Sequence, residues 1–589
     1  MTFPSNPNDD DLHEAFGRKL RYRSGKWQVV SSPTVATVTE EAPKTEAVTQ
    51  AVDLPMTGNE IGAMAYVQES NRLYIWNGSG WFEVALVNTN PTITAGGSAT
   101  YELATDGTPT VITLTANDPE GIPLTWSYSV TSGSLGGTTV SNVDNVFTIT
   151  PSTDTNDAGT FQLTFTASDG VNLDTSASSF TLSFTDWTSA TLLHTLNNPN
   201  AYGTGLYDNF GQSVAISGNY AIVGAYQEGD AGGNYSGKAY IFNVTTGALV
   251  HTLDDPNAYG TSADDNFGFS VAIDGNYAIV GAWKEDDAGG LDSGKAYIFK
   301  TTTGDWTDTT LLYTLDNPNA YSTSAYDYFG WSVGISGNLA LVSSYYEDDV
   351  NGLSSGKAYI FNVTTGALLH TLNNPNAYGT GTSDLFGNSI AISGNYVIIG
   401  APYEDDATLV NAGKAYIFDV TTGTLVHTLN NPNPDQVFDV QDRFGWAVGI
   451  SGNYATVSAR LEEDGSGKAY VYDVTTGALL HTLNNPNAYS TPTNDFFGER
   501  ISMSDNYAII STTSEDDAGG FDSGKAYIFD VTNGILLKTL DNPNAYGTSD
   551  TDIFGNAVGI SGNYCIVGAR LEDDAGVPAS GKAYIFQAG

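Results

Sequence analysis

Positive charge is scarce in this sequence. Lys and Arg number 21 against 66 Asp and Glu in 589 residues, a formal net charge of −45. A surface of that sign repels phosphate backbones and anionic headgroups, which argues against nucleic-acid and membrane-surface binding. Cations and neutral polar polymers such as glycans remain compatible, and the charge favours solubility. Cysteine is almost missing. The single Cys565, where other repeats carry Ala or Val, excludes an intrachain disulfide and reads as a buried, inert thiol. No apolar run reaches about 18 residues, so no membrane insertion is expected. The opening MTFPSNPNDDDLHEAFGRKLRY has no apolar h-region, so no secretory signal is read there. No Cys/His cluster, P-loop, G-x-S-x-G elbow or dinucleotide fingerprint is visible, which argues against an enzyme. Long stretches of helix formers are missing too.

Present instead are 65 Gly and a steady supply of Tyr, Phe, Val, Ile and Thr, the composition of an all-β chain. A string beginning DNFGQSVAISGNYAIVGAYQEGD at Asp208 recurs with small changes to give seven copies. Its Phe-Gly pair falls at Phe210, Phe267, Phe329, Phe386, Phe444, Phe497 and Phe554, each with an Asp two positions earlier. A full copy holds four strands, as in the first: SVAIS, a tight turn, YAIVGA, an acidic loop, KAYIFNV, the turn TTGA, and LVHTL. Four short strands repeated seven times predict a seven-bladed β-propeller over 187–589. The first three strands are continuously apolar, as in blades covered on both faces. The last copy lacks its fourth strand, while Leu192–Leu196 precedes the first copy. The ring therefore closes only if 192–196 completes the seventh blade.

The FG…GA core of each copy resembles the FG-GAP repeat of integrin-type and bacterial β-propellers. The integrin calcium loops lie between the first two strands of a blade. Here that connection is only SGN, so those calcium sites do not carry over.

Upstream, residues 88–186 contain no Lys or Arg and read as a β-sandwich. ANDPEGIPLTWS followed by ASDGVN resembles a cadherin-like or immunoglobulin-like module. Residues 1–30 and 54–87 are small β-hairpin modules around Trp27 and Trp81, joined by an extended linker over 31–53. FPSNPNDDD…GKWQVVSSP and GAMAYVQESNRLYIWNGSGWFEV resemble modules that open structural and fibre proteins of marine tailed phages.

The acidic loops after the second strands supply candidate ligands: Asp286 and Asp287, Asp348 and Asp349, Asp405 and Asp406, Asp516 and Asp517, Asp573 and Asp574. Two readings stand. Carboxylates and loop carbonyls suit a hard cation such as calcium, the one cofactor considered. Alternatively, the Lys of each following Gly-Lys pair neutralises the acids of its own blade, and the Asp before Phe-Gly caps loop amides. In the sandwich, Asp118, Glu120 and Asp169 resemble cadherin-type calcium ligands. Tyr202, Tyr259, Tyr321, Tyr378, Tyr489 and Tyr546 in the NPNAY loops offer rings that stack on sugars or pack between blades. Five histidines recur at one position of the outer strand and read as solvated edge residues.

The expectation is a non-enzymatic virion structural protein of a marine tailed phage, located on the particle. Residues 1–85 would bind other virion proteins, and the propeller's loop face a host glycan or surface protein. The alternative is a bacterial surface or secreted adhesin.

Overall fold

The computed structural model describes residues 63–589 except 68–71, 87, 105–106, 120, 154–156, 158, 183–184, 200–206, 230–233, 257–263, 287–289, 319–324, 349–352, 376–382, 406–409, 435–440, 487–493, 517–521, 544–550 and 574–577. Before residue 63 it describes the strands Leu12–Ala15, Arg18–Arg23, Lys26–Val29 and Glu46–Val48. Among the described residues no helix is long and apolar enough to cross a membrane.

The first three strands form an antiparallel sheet in which Trp27 pairs with Tyr22. Arg72–Trp76 and Trp81–Leu86 form a second hairpin, with the Trp76 and Trp81 rings 5.7 Å apart. Glu46–Val48, inside the stretch read as linker, pairs in parallel with Met64–Val67. An edge strand takes its hydrogen bonds from the neighbour already in place, so it needs no periodicity of its own.

Residues 92–182 form further sheets. Thr110–Thr113, Val146–Thr150 and Thr139–Val143 make one; Thr125–Gly133, Gly159–Ser168, Leu173–Leu182 and Thr100–Glu102 make another. Alternate residues of both, including Ile112, Phe147, Phe165 and Phe180, share one buried core.

Seven four-stranded sheets follow, and they share one pattern. In blade two, Phe267–Asp274, Tyr277–Ala282, Lys295–Lys300 and Thr310–Asp316 pair in antiparallel order. The second strand is buried on both faces because its neighbours are other blades. Ile222 of blade one packs with Phe267, Val280 and Phe299 of blade two, while Ala221 and Val223 pack toward blade seven. The FG and GA glycines are spacing elements. A Cβ on Gly224 would stand 1.9 Å from the Gly268 carbonyl oxygen of the next blade, so the backbones meet only without side chains. In the seventh blade Thr191–Asn197 is the outer strand, with Leu192 opposite Phe586 and Asn197 opposite Lys582.

Six of the seven blades are also tied to the next at the rim. His194 Nε2 lies 3.0 Å from the Thr245 carbonyl of the following blade's turn; His370, His427 and His481 make the same contact. Tyr313 and Lys538 replace histidine in two copies and donate to Thr364 and Thr188 carbonyls. The outer-strand position is thus an inter-blade donor rather than a merely solvated edge.

Candidate functional site

The described acids of these loops take two separate roles. The Glu of each loop is fully buried: Glu228, Glu285, Glu347, Glu404, Glu462, Glu515 and Glu572. Lys and Tyr of the Lys-Ala-Tyr segment share one strand face, by the two-residue period, and the Tyr hydroxyl reaches the Glu. Tyr416, for example, donates to both Glu404 oxygens at 2.6 and 2.7 Å. Burial pushes the carboxyls of Glu347, Glu404 and Glu572 above their usual range.

The first Asp after that Glu is a loop clamp. Asp286, Asp348, Asp405, Asp516 and Asp573 each accept, at Oδ1, the backbone N–H six residues on, at 2.8–3.1 Å. The receiving residue has φ near +50° in each case. Asp287, Asp349, Asp406, Asp517 and Asp574 lie outside the described residues, as do Glu120 and the six NPNAY tyrosines. Upstream of the repeats, Asp118 Oδ1 accepts the Ile122 N–H at 3.0 Å. Asp169 Oδ1 accepts those of Val171 and Asn172 at 2.7 Å, and the Asn172 bond leads in holding its carboxyl low. Among the described residues, none of the carboxylates nominated from sequence belongs to a group of three with converging oxygens.

The lysine's partner is set by one residue on the outer strand. Lys238, Lys295 and Lys525 face Asp254, Asp316 and Asp541 in register and pair with them. Where Asn stands opposite, the lysine pairs instead with its Glu: Lys357 with Glu347 and Lys414 with Glu404, both at 2.7 Å, Lys468 with Glu462 at 3.2 Å, and Lys582 with Glu572 at 3.1 Å. In two of the Asp-bearing blades the Glu is left with one oxygen that accepts no hydrogen bond among the described residues, Glu285 Oε1 and Glu515 Oε1. Burial, chiefly, pushes Glu285 up to about 8 and Glu515 to about 7.

The seven repeats differ from one another where the chain enters the inner strand. There the first strands enclose an axial cavity of about 240 Å³ lined by all seven blades. On blades one to three its mouth is aromatic. Trp331 stacks on Tyr345 at 4.1 Å and lies 4.8 Å from Phe269 and 5.4 Å from Trp283, and Tyr328 meets Trp283 at 4.7 Å. On blades five and six the mouth is cationic. Arg460 lies over Trp446 at 3.5 Å and pairs with Glu499 at 2.6 Å, while Arg500 holds the other oxygen of Glu499 at 2.9 Å. Arg443 lies over Tyr403, and Arg570 donates to Gln212. These four are all the arginines of 187–589. The residue before each Phe-Gly has positive φ, 52° to 61°, even where it is Tyr328, Arg443 or Ile553. Such a conformation for bulky side chains is held by the inter-loop backbone bonds around it; Phe329 N–H to Ser293 O at 2.9 Å is one.

Sequence reasoning missed this mouth. The available signal was the departure of single positions from otherwise repeated text: Phe269, Trp331 and Trp446 after Phe-Gly, and Trp283, Tyr345, Arg460 and Arg570 after the second strand.

The FG-GAP repeat family matches seven segments, 201–242, 257–299, 320–361, 377–418, 439–472, 488–529 and 545–586. No curated protein matches the chain. Among solved structures, the β-propeller domain of the trilobed protease from Pyrococcus furiosus is similar over 60% of this chain and 88% of that one, at 10% identity and a TM-score of 0.35.

Proposed function

We propose that this chain, which carries seven FG-GAP repeats, is a non-enzymatic recognition protein whose axial mouth binds a carbohydrate. One observation carries the reading: aromatic rings and every propeller arginine gather at a mouth where the repeats differ from one another. Aromatic faces stack on sugar rings, and arginines bind acidic or hydroxyl-rich groups in a forked geometry. Four of the six histidines engage turn carbonyls between blades, which supports binding over catalysis.

In this reading residues 1–85 anchor the chain to a particle, 88–186 act as a cadherin- or immunoglobulin-like spacer, and the propeller is displayed outward. The N-terminal resemblances support a marine tailed-phage virion as that particle. Binding of the full chain to a panel of bacterial surface polysaccharides, followed by calorimetry on the best binder, tests the proposal. Trp331→Ala and Arg460→Ala should each weaken binding by about tenfold or more. Binding that survives both substitutions unchanged overturns the assignment to the mouth.

A further inference from the structure

One departure of blade two from its siblings falls at a hydrogen-bond donor. In six blades an Asn at the start of the link into the inner strand donates to the Asp before Phe-Gly, as Asn317 does to Asp327 at 2.9 Å and Asn485 to Asp495 at 2.9 Å. In blade two the Asn is replaced by Asp255, which faces Asp265. An amide donor has become a third carboxylate.

We propose that Asp255, Asp265 and Glu285 form a binding site for one hard divalent cation, with calcium the best fit. One oxygen from each of the three lies within 4.8 Å of the others. That spread is about the diameter of a calcium coordination sphere, in which oxygens stand about 2.4 Å from the ion. Glu285 is fully buried, its Oε2 takes the Tyr297 hydroxyl, and its Oε1 accepts no hydrogen bond among the described residues. Lys295, the nearest source of compensating charge, is paired across the strands with Asp316. Buried carboxylates this close need a proton or a cation between them. Asp255 is only half-buried and gives the ion a way in. The site lies between the link into the blade and the loop after its second strand, away from the Asp274-Gly275-Asn276 turn that joins the first two strands.

A proton competes with the ion for these carboxylate oxygens. Calcium chloride titrated calorimetrically into the full chain, previously stripped with chelator, provides the test, with melting temperature read in parallel. The natural control is Asp255→Asn, which installs the residue the six sibling blades carry and so preserves the fold. The wild type should bind one more equivalent of calcium than the variant and show a larger calcium-dependent rise in melting temperature. Asp255→Asn should also melt higher than wild type without calcium, because one repulsive charge is gone. Equal calcium uptake and equal melting shifts in the two proteins overturn the proposal, as does a wild type that shows neither heat nor shift at millimolar calcium.

Discussion

At the residue scale, the identity of a single side chain opposite each Lys decides how a buried glutamate is neutralised. Glu515 shows the consequence for pH. Its Lys525 pairs with Asp541, its Oε1 accepts no hydrogen bond among the described residues, and burial raises its carboxyl from 4.5 to about 7. Below pH 4.5 the folded and unfolded chains both hold this proton. As pH rises to 7 the unfolded chain releases it first, so the group's contribution to stability falls and is lost above about 7. Glu515→Gln should therefore flatten the decline in melting temperature between pH 5 and 8, by roughly 2 °C across that range. Parallel melting curves across pH for variant and wild type would remove Glu515 from the account. The EDD triplets were legible as acidic loops. That the Glu is sealed in the blade while the next Asp clamps its loop was not, because three adjacent carboxylates look alike until the backbone turns between them.

At the element scale, the outer strand of blade seven comes from the other end of the propeller sequence. Thr191–Asn197 covers Lys582–Gln587, and His194 carries the bond to blade one. Removing residues 187–197 exposes a strand edge and opens the core around Trp187, Cys565 and Phe586. The deletion should lower the melting temperature by about 5 °C or more, read by circular dichroism. An unchanged melting temperature would show that the strand adds nothing to closure. The phase of the repeats pointed to this strand from sequence, since one fourth strand was missing at the end and one was spare at the beginning. The strand at Glu46–Val48 had no such signal, because its pairing depends wholly on the neighbour it meets.

At the scale of the whole molecule, each propeller core cluster spans two blades, and the ring uses only residues beyond 187. Residues 187–589 expressed alone should accordingly be folded and soluble, with cooperative thermal unfolding, yet fail to join a particle. Residues 1–90 fused to a reporter should join it. Incorporation of the propeller fragment without the N-terminal fusion would reverse the proposed orientation.

What the sequence determined by itself was the repeat, its strand count and its phase, because period-two burial and turn residues are local properties written seven times. Only the tertiary structure decided which departures from the repeat matter. Ring closure brings Phe269, Trp331, Trp446 and Arg500, separated by 54 to 115 residues from one to the next, around one cavity. It also sets Asp255 against Asp265 and Glu285, turning one substituted amide into a cluster of charge. Convergence of this kind depends on the curvature of the ring, which no local stretch of chain encodes.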